Sequence, residues 1–100
     1  MKYKKLVRDK IPEHIRKKGG NPTYYIADKK EYWEKLKEKI LEEVNEFLVD
    51  ESKEEFADLL EVIEVIAEYK KFDQDEIKKI RNKKTKERGS FKNRIILDGL

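Results

Sequence analysis

Two runs of apolar residues at helical spacing, separated by one short polar stretch, set what this chain can fold into. Trp33, Leu36, Ile40, Val44 and Phe47 follow one another at steps of three and four, with Leu41 and Leu48 widening the stripe. Such steps keep apolar side chains on one face of an α-helix. Asp28 opens this helix, with Glu31 three residues on as its capping-box partner, and the stripe ends near Val49. The polar stretch Asp50-Glu51-Ser52-Lys53 is the break. A second helix runs from about Ser52 to Tyr69, with Phe56, Leu59, Leu60, Ile63, Ile66 and Ala67 as its main stripe and Val62 and Val65 on another side. A helix that is apolar on more than one side is covered on more than one side. Two helices joined by a short turn pack antiparallel. The expected class is therefore all-α: a helical bundle built on an antiparallel helical hairpin and completed by oligomerisation, with short extended terminal segments.

The flanks are read less sharply. Lys5-Leu6-Val7-Arg8 looks extended, Ile11 to Lys18 suits a short helix with Pro12 in its first turn, and Gly19-Gly20-Asn21-Pro22 is a turn. Tyr24-Tyr25-Ile26 fits a short strand or an extended strut. A third long helix is expected from Asp73 to about Arg88, with a weak face of Ile77 and Ile80, a cap from Asp73 with Glu76, and a stop at Gly89. The tail, with Phe91 and Ile95-Ile96-Leu97, is apolar enough to dock. One hundred residues make a single domain, 1–100. With 37% hydrophobic and 47% charged residues the core is thin, so a homodimer or homotetramer is expected. The lack of cysteine excludes disulfides, thiolate metal sites and cysteine nucleophiles. No long apolar run suggests a transmembrane helix or secretory signal, and the expectation is a soluble cytoplasmic protein.

Charge is segregated along the chain. Residues 1–20 hold eight Lys/Arg against two acids, residues 28–69 fifteen acids against six Lys, and residues 78–94 nine Lys/Arg against one acid. An acidic centre suits a metal, and basic ends suit phosphates. Within the acidic centre, Glu43 and Glu46 are three apart on one helix, and Glu55 and Asp58 three apart on the next. Residues at i and i+3 share a helix side. In an antiparallel hairpin, Glu43 with Asp58 and Glu46 with Glu55 have the same midpoint, between Asp50 and Glu51, so the four carboxylates fall at matching levels. At roughly 100° per residue, Glu43 lies beside the Leu36–Phe47 edge of the first stripe, and Glu55 between the main stripe and Val62 of the second. Carboxylates gathered at an apolar rim repel and take up protons unless a cation joins them. An all-oxygen set indicates Mg²⁺, Mn²⁺ or Ca²⁺ rather than zinc. Mg²⁺ fits best with a few carboxylates, because it keeps positions for water and substrate phosphate, where it polarises a phosphoryl oxygen. The competing reading is local. Glu55 could close a capping box with Ser52, and Glu42, Glu43 and Glu46 could be surface acids pairing with Lys39 and its neighbours.

Glu42-Glu43-Val44-Asn45-Glu46, followed by Glu55-Phe56-Ala57-Asp58, resembles the EExxE…ExxD signature of the all-α nucleoside triphosphate pyrophosphohydrolases. That superfamily includes MazG-like enzymes, dimeric dUTPases and phosphoribosyl-ATP pyrophosphohydrolases. Lys5-Leu6-Val7-Arg8-Asp9-Lys10-Ile11-Pro12-Glu13 resembles the N-terminal signature of a small single-domain MazG-like branch, and Glu87-Arg88-Gly89-Ser90-Phe91 with Ile95-Ile96-Leu97 its C-terminal one. The resemblance implies hydrolysis between the α and β phosphates of a nucleotide, giving a monophosphate and pyrophosphate. It also implies a helical bundle whose active site is commonly completed by dimerisation. It carries the metal ligands onto Glu43, Glu46, Glu55 and Asp58, and makes Glu46 and the leading acid Glu42 the catalytic candidates. Lys4 stands where the branch more often has a polar amide, and Ser90 where it has Gly. Both departures bear on substrate preference.

Arg8, Lys10, Arg88, Lys92 and Arg94 are the candidate substrate-binding residues, with Lys5 behind them. A triphosphate needs cations beyond the metal, and Arg offers a planar fork for two oxygens. There is no Walker A loop to do that work. His14, the sole histidine, reads as a surface helix residue, Trp33 as core, and Tyr24 and Tyr25 as half-buried strand or interface residues. The leading expectation is a Mg²⁺-dependent nucleotide pyrophosphohydrolase, with phosphoribosyl-ATP as an alternative substrate. A nucleic-acid-binding helical module using the basic ends is the competing class, against which the acidic hairpin counts. A non-enzymatic assembly subunit is the third, and the intact carboxylate set argues against it.

Overall fold

The computed structural model describes residues 4–100; residues 1–3 of the expected domain lie outside them. The described residues form four α-helices and no strand: α1 (Ile11–Lys17), α2 (Lys29–Val49), α3 (Lys53–Tyr69) and α4 (Gln74–Arg88). The Tyr24-Tyr25-Ile26 segment is not a strand, and its three side chains are exposed, Ile26 the most.

Side chains close the helix starts as the sequence indicates. Asp28 Oδ1 accepts from the Glu31 amide at 2.8 Å, and Ser52 Oγ from the Glu55 amide at 3.2 Å. Each satisfies one of the amides left unpaired in a first helical turn, worth about 1 kcal/mol. Asp73 caps α4 as expected, but its Oδ1 accepts from the Asp75 amide at 3.0 Å and not from Glu76. Glu31 does not reach back to complete its box, because its carboxylate takes a hydrogen bond from the Tyr25 hydroxyl. That bond raises the Tyr25 pKa above its ordinary value. Gly89, at φ +82°, ends α4 in a backbone region that side chains disfavour. At the end of α3 the same role falls to Lys71, at φ +59°. There the Phe72 amide donates to Ala67 O at 2.9 Å and the Lys71 amide to Glu68 O at 3.0 Å, the paired bonds of a Schellman turn.

The extensive helix packing is α2 against α3. The two run in opposite senses. Trp33 stacks on Tyr69 with ring centroids 5.2 Å apart, while Phe47 meets Phe56 at 5.4 Å beside the connecting turn. Lys70 Nζ sits 4.2 Å from the Trp33 ring centroid, so Trp33 is half-buried between an aromatic and a cation. The buried apolar side chains are Leu36, 1% exposed, and Val62. The side of α3 that carries Val62 thus takes the buried contact, while Phe56, Leu60 and Ile63 of the expected main stripe stay exposed, as do Leu41, Val44 and Leu48 of α2. Neither α1 nor α4 holds a buried residue. The tail does not dock within one chain: Phe91 is 98% exposed, and Ile95, Ile96 and Leu97 are also open. The radius of gyration is 18.1 Å, against about 13 Å for a compact chain of this length.

Candidate metal centre

Glu43 is the buried charged residue of the described chain, 5% exposed on the inner side of α2. Its register places it there: Leu36, one heptad earlier, occupies the same side and is buried against α3. From α3, Glu55 and Asp58 come to meet it. One carboxylate oxygen from each of Glu43, Glu55 and Asp58 lies within 4.8 Å of the other two, and the same holds for Glu42, Glu43 and Glu46. Glu43 therefore belongs to both groups and joins the two helices.

Basic side chains partly neutralise this cluster. Lys39, one turn before Glu43, has Nζ 3.5 Å from Glu43 Oε1 and 3.6 Å from Glu42 Oε2. Lys5 Nζ donates to Glu42 Oε1 at 2.7 Å, and this hydrogen bond holds the Glu42 pKa below the usual carboxylate range, against the opposing effect of desolvation. Arg8 Nη2 donates to Asp58 Oδ1 at 2.8 Å. Among the described residues, five carboxylates thus face three cations, two fewer than would balance them.

The uncompensated charge sits on the innermost atoms. Glu43 Oε2 and Glu55 Oε2 are both buried without a hydrogen-bond partner among the described residues. Burying a carboxylate oxygen with no donor is costly. Desolvation, followed by the charges of Glu46 and Asp58, pushes the Glu55 pKa up. The local readings of these acids are therefore half right. Lys39 does pair with Glu42 and Glu43, and Ser52 does cap Glu55. But the Glu55 carboxylate turns inward instead of back to its cap, and Glu43 is not a surface acid. Among the described residues, the donor set is all oxygen, carries an excess of two negative charges and buries two unpartnered oxygens. A hard divalent cation meets all three conditions.

Beside the carboxylates lies a cavity of about 280 Å³, lined by Val7, Arg8, Ile11, Lys39, Glu43, Asp58, Glu61 and Val62. Its apolar wall comes from the N-terminal segment, α1 and α3, and its polar wall from the cluster. Sequence reasoning passed over Glu61 and the apolar wall. Glu61 continues the three-residue step from Asp58, a signal that was available. Val7 and Ile11 could be placed there by the fold alone.

Lys10 stands at the N-cap position of α1 with no side-chain cap bond and is exposed. Arg88, Lys92 and Arg94 are exposed and make no ion pair among the described residues, so a single chain does not bring them to the carboxylates. His14 is an exposed residue of α1. No helix among the described residues is long and apolar enough to cross a membrane. No protein-family model, curated protein or solved structure matches the chain.

Proposed function

We propose that this protein is a Mg²⁺-dependent nucleotide pyrophosphohydrolase of the all-α, MazG-like kind, cleaving the α–β bond of a nucleoside triphosphate or a related nucleotide such as phosphoribosyl-ATP. The observation that carries the reading is the buried Glu43 carboxylate, with an unpartnered oxygen, joined to Glu42 and Glu46 on one helix and Glu55 and Asp58 on the other. Glu43, Glu46, Glu55 and Asp58 are the ligands for the ion, with Mn²⁺ as a substitute. An ion held there polarises a phosphoryl oxygen and acidifies water. Glu42 stays ionised through its bond from Lys5, which suits it to orient the attacking water. Glu46, the second catalytic candidate, has no cation within ion-pair distance among the described residues. Arg8 and Lys10 reach phosphate oxygens from the N-terminal side. The apolar wall of Val7, Ile11 and Val62 shields the nucleotide from water.

The bundle is completed by a second copy of the chain on the α2/α3 hairpin. Support comes from Leu41, Leu48, Phe56 and Leu60, all exposed on that pair, and from a core of two buried apolar side chains among the described residues. Arg88, Lys92 and Arg94 then approach the site from the neighbouring copy. The test is a panel of nucleotides incubated with Mg²⁺, read for pyrophosphate and monophosphate. Orthophosphate as the sole product, or no product, sinks the reaction. A second reading, binding of nucleic acid by the exposed basic helix α4 (Lys78, Lys79, Arg81, Lys83 and Lys86 among its cations), is supported by α4 having no buried residue. Salt-sensitive duplex binding indifferent to Mg²⁺ favours it.

A further inference from the structure

One short stretch of chain touches both edges of the carboxylate cluster. Lys5 pairs with Glu42 on α2 at 2.7 Å, and Arg8 pairs with Asp58 on α3 at 2.8 Å. Three residues of extended chain span about 10 Å, so residues 5–8 form a strap from one helix to the other across the mouth of the cluster. Arg8 also lines the adjoining cavity. A guanidinium bound to a carboxylate has its charge compensated and its fork engaged, which makes it a poor partner for phosphate. The same Asp58 carboxylate lies within 4.8 Å of the Glu43 and Glu55 oxygens that would share an ion with it.

We propose that Arg8 and a divalent cation compete for Asp58, so that filling the cluster frees the Arg8 guanidinium into the cavity, where it binds a phosphate oxygen of the incoming nucleotide. This rests on the metal-centre reading given above. Energetics favour the exchange. Both partners of the Arg8–Asp58 pair are substantially exposed, and such pairs are weak, whereas the ion is held by several carboxylates, two of them with buried unpartnered oxygens. Lys5 stays on Glu42, at the edge of the cluster away from Asp58, and keeps the strap attached. Arg8 is thus a phosphate-binding residue held in reserve until the ion is present, and loading of the metal precedes productive binding of the substrate.

The test uses the full chain and two readouts other than turnover. Free Mn²⁺ measured by electron paramagnetic resonance gives the Mn²⁺ affinity of the wild type, Arg8→Gln and Arg8→Lys. The Arg8 side-chain Nε–H resonance, assigned by its loss in Arg8→Lys, is followed by NMR through a Mg²⁺ titration. Arg8→Gln is expected to bind Mn²⁺ about two- to fivefold more tightly, the scale set by an exposed ion pair, and Arg8→Lys to remain near the wild type. The Arg8 resonance is expected to move toward the position of a free guanidinium as Mg²⁺ saturates. Weaker or unchanged Mn²⁺ binding in Arg8→Gln with an unaltered circular dichroism spectrum, or an Arg8 resonance that stays in place, overturns the competition. A wild type that binds no Mn²⁺ overturns the metal centre as well, while normal Mn²⁺ binding with an unmoved Arg8 overturns the competition alone.

Discussion

Glu43 Oε1 lies 3.5 Å from Lys39 Nζ, while Oε2 of the same carboxylate is buried without a donor among the described residues. Half of this group is compensated and half is not. Removing the uncompensated charge should help the metal-free protein. Glu43→Gln is expected to unfold at a higher temperature than the wild type in EDTA, and to lack the rise in melting temperature expected of the wild type with Mg²⁺. A ligand bound to the folded state alone adds about 2.7 kcal/mol at a hundredfold excess over its dissociation constant. An equal Mg²⁺ response in the two proteins would remove Glu43 from the ligand set.

Turnover should depend on both helices. Glu46→Ala and Asp58→Ala are expected to abolish pyrophosphate release while preserving the helical circular dichroism signal, because on the proposed reading all four acids are metal ligands. Retained activity in either variant refutes the site.

The pH dependence has a sign that distinguishes this cluster from ordinary surface acids. Burial and its neighbours raise the folded pKa of Glu55, so its contribution to stability is full below the ordinary Glu value of about 4.3 and is lost as pH rises through the raised folded value. Glu42 is opposite. Its folded pKa is lowered by Lys5, so its contribution is present above the ordinary value and is lost as pH falls through the lowered one. The EDTA-treated protein should therefore lose part of its stability as pH rises from the ordinary Glu range through the raised Glu55 value, and Mg²⁺ should remove that loss. A thermal melt series with and without Mg²⁺ measures it; a metal-free melting temperature that climbs steadily to neutral pH contradicts the burial of Glu55.

Lys71 occupies the left-handed position that closes α3, at φ +59°. Glycine accepts that conformation without the steric cost of a Cβ. Lys71→Gly is expected to stabilise the protein by about 0.5–1 kcal/mol, read by chemical denaturation with Mg²⁺ held constant. Destabilisation would show that the lysine side chain makes a contact worth more than the strain.

Leu60 is half-exposed on the same side of α3 as Phe56 and Ile63. If a second copy covers this face, Leu60→Glu buries a charge at the interface and shifts the protein toward monomer. Light scattering across a dilution series reads this directly. A wild type that is already monomeric at all concentrations removes the second copy.

Helix positions and starts were legible because their causes are local. The three-and-four spacing from Trp33 to Phe47, and Asp28, Ser52 and Asp73 just ahead of each long helix, need no distant partner to act. The shared midpoint of Glu43–Asp58 and Glu46–Glu55 was legible too, since it follows from chain order and a turn at residues 50–52. Less was legible in α3. Its apolar residues surround most of the helix, and periodicity alone could not say that Val62 is buried while Phe56, Leu60 and Ile63 stay exposed.

What the sequence by itself determined was therefore the four helices, most of their caps and the pairing of acids along two of them, all consequences of interactions within a few residues. Tertiary structure alone decided that Glu43 is buried while its neighbours reach solvent, and that Lys5 and Arg8 cross 37 and 50 residues to meet Glu42 and Asp58. It also left the Phe91–Leu97 tail without a surface to cover. Such outcomes depend on how two helix faces rotate against each other and on where a distant segment finds compensating charge. A spacing pattern places a carboxylate on a helix side, but burial and the count of nearby cations decide whether it needs a metal.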